Sequence, residues 1–375
     1  MMDPCFNALP IDLIPLILVR LPVRSLLRFK CVCKSWRSLI SDPEFGKSHF
    51  DLAGAPTHRL LLKRINDGSE IQSLDLQASL HDDSAVVNLK FPPYTAPFFQ
   101  SLGSCRGFVL LTKRLCPTND LILWNPSTDA HREIPAIFLG GLFNSLYGFG
   151  YDQSKDDYVL VLIRLGVRLL EERCQIDVLS LKTNVPSFYY YRVVQYLEAG
   201  HESQCGVFLD ESLHWLVKSK ATQHHLVLAF DLVKRSFSKI PFSPDLAAEL
   251  ATHGRGCLRV LGGCLSVCYS SGGGGHEVAE IWVMKDSWSK LFVLTIHDLV
   301  GSKFFPLFST EGGGVFGSDE SGTFRKFNAE GELTELTENY TDGLDDDKGA
   351  LQFLNMYRES LLTLPGDVEE ENVDA

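Results

Sequence analysis

Four hydrophobic stops, at Ile134, Phe188, Ile240 and Phe292, fall 54, 52 and 52 residues apart, and no other feature limits the fold of this chain so strongly. Each stop closes a unit of short apolar runs. Cys105 to Leu111 and Leu121 to Thr128 precede Ile134; Tyr158 to Ile163 and Ile176 to Leu181 precede Phe188. Leu213 to Val217 and Leu226 to Leu232 precede Ile240; Cys264 to Cys268 and Ile281 to Met284 precede Phe292. Gly, Pro, Asn and Asp punctuate the runs, which therefore read as strands and turns. A period near 50 with several strands per unit is the mark of a radial array of blades. A lone blade leaves an apolar face uncovered and must stack on neighbours. Residues 57–364 provide for a mainly β propeller of roughly six blades, and ring closure limits its exposed sheet edges. The last apolar stretch, Leu351 to Leu364, is the candidate closing strand.

The first fifty residues are different. Prolines 10, 22 and 43 cut them into pieces with apolar residues at helical spacing. A helix can begin after Pro10, with Asp12 in its first turn, and must end near Leu21 because Pro22 disfavours helical geometry in the residue before it. Pro15 is close to the first turn, where a missing N–H is tolerated. A second helix is expected from about Arg24 to Val32 and a third from about Cys33 to Ser41. Leu13, Ile14, Ile17, Leu18 and Leu21 cannot all face one core of this size. An excess of that kind marks a partner surface or a face packed on the larger domain.

The residues Leu9-Pro10-x-Asp12-Leu13-Ile14-x-x-Ile17-Leu18-x-Arg20-Leu21-Pro22, continued by Ser25-Leu26-Leu27-Arg28-Phe29, Cys31-Val32 and Lys34-x-Trp36, resemble the F-box motif of plant type. The resemblance implies a small all-α, three-helix module over residues 4–47 that docks on the Skp adaptor and, through it, on a cullin scaffold. It maps adaptor contact onto Leu9, Pro10, Leu13, Ile17, Leu21, Pro22, Leu26, Val32 and Trp36. Residues 48–56 read as a linker. Further on, Ser104-Cys-Arg-Gly, Leu123-Trp-Asn-Pro-Ser-Thr128, Tyr147-Gly-Phe-Gly-Tyr-Asp152 and Ala279-Glu-Ile-Trp-Val-Met284 resemble the plant F-box-associated, kelch-related domain. Together the two imply a substrate-recognition subunit of a Skp–cullin–F-box ubiquitin ligase, itself without bond chemistry, that presents an unknown target protein. The alternative is a kelch scaffold that binds the adaptor without target turnover.

Composition narrows the partners. Net charge is −12, and residues 330–375, with 14 acids and two bases, carry all of it. The end of that segment, 365–375, reads as an acidic disordered tail. A neutral body with an acidic end argues against nucleic acid. No apolar run approaches the roughly 20 residues of a membrane span, and the front lacks a signal peptide, so cytoplasm or nucleus is expected. The 10 cysteines suit that setting as free thiols; neither Cys31-x-Cys33 nor Cys264-x3-Cys268 has a second pair at zinc spacing. His201, His224 and His225 lack such partners too, and no metal or cofactor is expected. Ser212-x-His214 is no triad by closeness alone. The glycines from 272 to 275 precede no Lys-Ser/Thr of a phosphate loop. Aromatics concentrate at Phe91 to Phe99 and Phe188 to Tyr191. Tyr94, Phe98, Tyr189, Tyr190 and Tyr191 are the candidate target-binding residues, with core-facing strand residues as the other reading.

Overall fold

The computed structural model describes residues 12–366 apart from 53–56, 65–70, 80–84, 90–98, 114–119, 136–144, 165–173, 192–196, 199–203, 221, 254–255, 273–276, 297–302, 320–321 and 338–350. The chain begins with helices and continues as strands. Helix α1 spans Leu13–Leu18, α2 Val23–Phe29, α3 Lys34–Ser41 and α4 Pro43–Leu52. Pro22 sits just before α2, and its carbonyl accepts the N–H of Leu26 at 3.1 Å. Cys33 caps α3, its sulfur accepting the N–H of Trp36 at 3.5 Å.

A fourth helix follows the three that were expected and runs into residues 48–52, the start of the stretch read as a linker. Asp42-Pro43 ends α3 and also starts α4. The Asp42 carboxylate accepts the N–H groups of Glu44 and Phe45 at 2.7 and 3.3 Å, and Pro43 takes the first helical position, where its missing N–H is harmless. The helix then runs to Leu52 and buries Phe45, His49 and Phe50. A further helix, α5 (Pro244–His253), was also not anticipated among the strands. It repeats the same signals: Ser243 before it, Pro244 first, Asp245 in the first turn, with Leu246 and Leu250 buried one turn apart.

Six sheets of four or five antiparallel strands are found among the described residues, and they form six blades. The first blade joins both ends of the propeller: the C-terminal strand Leu351–Arg358 pairs with His58–Arg64, followed by Ile71–Asp75 and Val86–Leu89. The sequence reading gave Leu351 to Leu364 this closing role, and the strand occupies its first eight residues. The second blade runs Phe99–Cys105, Phe108–Lys113, Leu121–Trp124, His131–Ile134; the third Ser145–Asp152, Asp157–Arg164, Cys174–Ser180, Pro186–Tyr191. In the fourth, Leu197–Glu198 and Val207–Leu209 share Ser212–Ser219, then come His225–Asp231 and Ser236–Ile240. The fifth is Gly256–Leu261, Cys264–Gly272, Glu277–Met284, Trp288–Ile296, and the sixth Phe304–Ser309, Val315–Asp319, Phe324–Phe327, Leu333–Thr337.

The four sequence stops all lie in outermost strands, which explains their spacing. A middle strand such as Asp157–Arg164 is buried at seven of its eight positions, because both of its faces meet another blade. Six apolar clusters fill the six joints between blades, and a seventh fills the helical module. At the joint of blades three and four, the Trp215 indole N–H donates to the Tyr147 carbonyl at 2.9 Å. There Gly148 has no room for a side chain: an added Cβ would stand 2.8 Å from Leu213.

The helical module is built onto this ring. Arg358 of the closing strand stacks 3.8 Å over the Phe50 ring and donates to the Phe50 carbonyl. Arg106 lies over the same ring at 4.7 Å. Glu359 meets Arg24 of α2 at 3.2 Å and Arg59 of the first blade at 3.6 Å. After the closing strand, Leu361 enters the core of the helices. Asn125 fastens that segment: its side-chain amide donates to the carbonyls of Ser360 and Leu362 at 3.3 and 3.1 Å. Gly107, at φ +86°, lies beneath it, and a Cβ there would strike Ser360.

Candidate partner-docking surface

The helical module divides its apolar residues between two faces. Leu18, Val19, Val23, Leu26, Ile40 and Phe45 form its core. Leu13, Leu16 and Ile17, at spacing i, i+3, i+4, share one face of α1 and remain in solvent, Leu16 at 55% exposure. Val32, in the turn after α2, is 61% exposed. Trp36 is half-buried, edge-on to Phe29 with ring centroids 5.4 Å apart. The rim is basic. Lys30 is held below its ordinary pKa by burial and by the charge of Arg37.

Of the residues that resemblance placed against the adaptor, Leu13, Ile17, Pro22 and Val32 are exposed, and Leu21 and Trp36 are half-buried. Leu26 requires correction. It has no exposed area and packs inside the module, so its contribution is to the shape of the surface rather than to contact. Leu9 and Pro10 lie outside the described residues. Leu16 was missed; its helical spacing from Leu13 was the available signal.

The aromatic residues put forward for target binding are divided by strand alternation. Phe188 and Tyr190 point to solvent from the outer strand of blade three. Tyr189 and Tyr191 are half-buried and turn toward the joint of blades three and four, the core-facing reading that the sequence also allowed. Tyr191 meets Phe237 edge-on at 5.1 Å and donates its hydroxyl proton to the Arg235 carbonyl. Tyr94 and Phe98 are outside the described residues, as are the stretches 367–375 of the acidic tail and 273–275 of the glycine run. Ser212 and His214 share one strand, and burial holds the His214 imidazole below its ordinary pKa.

A small helical platform with an open apolar face, fastened to a closed six-blade propeller, has the form of a protein-binding module. Comparison with known proteins supplies the family. Residues 6–48 match the F-box domain, and residues 66–337 match the F-box associated beta propeller domain. The chain belongs to the F-box proteins that carry this propeller. It is similar to F-box/kelch-repeat protein At3g23880 of Arabidopsis thaliana, 30% identical over 314 residues, covering 76% of this chain and 78% of that one. It is also similar to F-box protein CPR1 of Arabidopsis thaliana, 28% identical over 321 residues, covering 76% and 73%. At the level of the family, an F-box implies binding to a Skp adaptor, and proteins of this kind are non-catalytic adaptor subunits.

Proposed function

We propose that this protein is a substrate-recognition subunit of a Skp–cullin–F-box ubiquitin ligase, acting in the cytoplasm or nucleus. The helices hold the Skp adaptor, which connects to a cullin, and the propeller holds a target protein for ubiquitination. The observation that carries this reading is the exposed face of α1, Leu13, Leu16 and Ile17, within a module whose other side is fastened to the propeller. The propeller would thereby hold the target's lysines near the charged conjugating enzyme and act by raising local concentration. No group of the subunit needs to touch a reacting atom.

Capture of the Skp adaptor by the wild-type chain and by a Leu13→Asp/Ile17→Asp variant is the test. Both side chains are solvent-facing, so the variant is expected to fold and to lose the adaptor. Equal recovery would remove the interface. Target half-life with and without the protein then separates a ligase subunit from a scaffold.

A further inference from the structure

On the side of the helical module, the centre of the propeller opens into a cavity of about 760 Å³, within the roughly 300–1,000 Å³ of ligand sites. All six blades line it, through Asn355, Ser104, Phe149, Val207, Arg259 and Ser309 in blade order. Among its described lining residues are the arginines 106, 259 and 358 and no carboxylic acid. The basic character is local, because residues 1–329 carry no net charge.

The three arginines are not equivalent. Arg358 and Arg106 share the Phe50 ring at the rim, where Asp51 lies 3.7 Å from Arg106. Burial and the nearness of Arg106 press Arg358 below its ordinary pKa. Arg106 also keeps a buried Nε without a hydrogen-bond partner among the described residues. Arg259 stands apart on the inner strand of blade five. It is half-buried, and its guanidinium donates to the Leu258 carbonyl of its own strand at 2.9 Å. No described acid pairs with it. Desolvating a guanidinium without a counter-charge is costly, and low-dielectric walls concentrate its field into the channel. An anion arriving from outside would relieve that cost. Half-buried Phe208, Phe308 and Phe353 beside the arginines provide apolar contact for the residues that carry the charge.

We propose that this channel mouth holds the target by an acidic peptide segment, with Arg259 as the central anchor and Arg106 and Arg358 at the rim. The proposal rests on the target-recruiting reading above. The shared chemistry is an anionic oxygen group on a peptide, supplied by a run of carboxylates or by a phosphoserine.

Fluorescence anisotropy of the full-length chain tests it, with a tagged poly-glutamate peptide, a tagged phosphoserine peptide of otherwise neutral residues, and inorganic phosphate as competitor. One or both peptides are expected to bind, more weakly as salt rises. Affinity should fall at least about tenfold in Arg259→Ala, with partial recovery in Arg259→Lys. Lys155→Ala, which removes one exposed charge elsewhere, should not change it. Unchanged binding by Arg259→Ala, at an unchanged melting temperature, overturns the proposal. So does phosphate that displaces either peptide as well as the untagged peptide does, since the site would then take a small anion. An Arg259→Ala chain that still captures the same cellular targets also overturns the channel, while target recruitment stands. Arg259-dependent peptide binding by a chain that changes no protein's half-life supports the channel and removes the ligase reading.

Discussion

In the propeller, Leu160 and Leu228 sit in strands packed on both faces and have no exposed area; in the helical module, α1 buries Leu18 and leaves Leu13, Leu16 and Ile17 in water. Both regions come from sequence rich in the same aliphatic residues. They differ in topology. Each blade has two neighbours, and the ring returns to its start when Leu351–Arg358 pairs with His58–Arg64, so the faces of the inner and middle strands meet another blade, and the exposed apolar residues, such as Phe188, Tyr190 and Val293, lie on outer strands. The helices have one neighbour, the propeller with the segment after its closing strand, and it reaches α4, Arg24 of α2 and the core of the module through Leu361 but leaves the outer face of α1 open. The open face of α1 is the part of the helical module that its own chain leaves uncovered, and an apolar patch of that kind is what the proposed docking on the adaptor uses.

Six variants sharpen that contrast. Truncation after residue 350 removes the closing strand together with Leu361, Leu362 and Leu364, and so opens three joints between blades and the core of the helices; we expect loss of the cooperative thermal transition by circular dichroism. Trp215→Ala opens a cavity at the joint of blades three and four. It should cost about 3–5 kcal/mol in urea denaturation, whereas Leu26→Ala, in the smaller core of the helices, should cost about 2–5 kcal/mol.

The junction between the two regions should respond to acid. Burial, helped by the charge of Arg358, holds the His49 imidazole below its ordinary value, and its Nε2 lies 2.8 Å from the Leu21 carbonyl. A depressed folded pKa means that this stability is intact above the unfolded value of about 6.5 and is lost as pH falls through the folded value. His49→Gln should flatten the decline of melting temperature below pH of about 6.5. It should not abolish it, because His214 and His225 are lowered by burial in the same direction. The smallest effect on stability belongs to the open face: Leu13→Ala and Ile17→Ala should each stay within about 0.5 kcal/mol of wild type. A large loss in either would mean that α1 is held by contacts within its own chain.

Much of this organisation was legible in the residues. The spacing of Ile134, Phe188, Ile240 and Phe292 reported the outer strands because each blade repeats the same order of buried and half-buried segments. Strand alternation decided what the run Phe188 to Tyr191 could not, since four aromatics in succession carry no period of two. Helices α4 and α5 were obscured because Asp42-Pro43 and Ser243-Pro244 read equally as the end of one element and the start of another. The stacking of Arg106 and Arg358 on Phe50 and the entry of Leu361 into the core around Leu26 join segments far apart in the chain, and no local pattern carries that information.

Titration calorimetry of the full-length chain with the Skp adaptor at several temperatures measures most directly whether the open face of α1 is completed by another polypeptide. Burial of Leu13, Leu16 and Ile17 should give a negative heat-capacity change, smaller in Leu13→Ala/Ile17→Ala together with an affinity lower by at least about tenfold. An affinity and heat-capacity change identical in both chains would contradict the account.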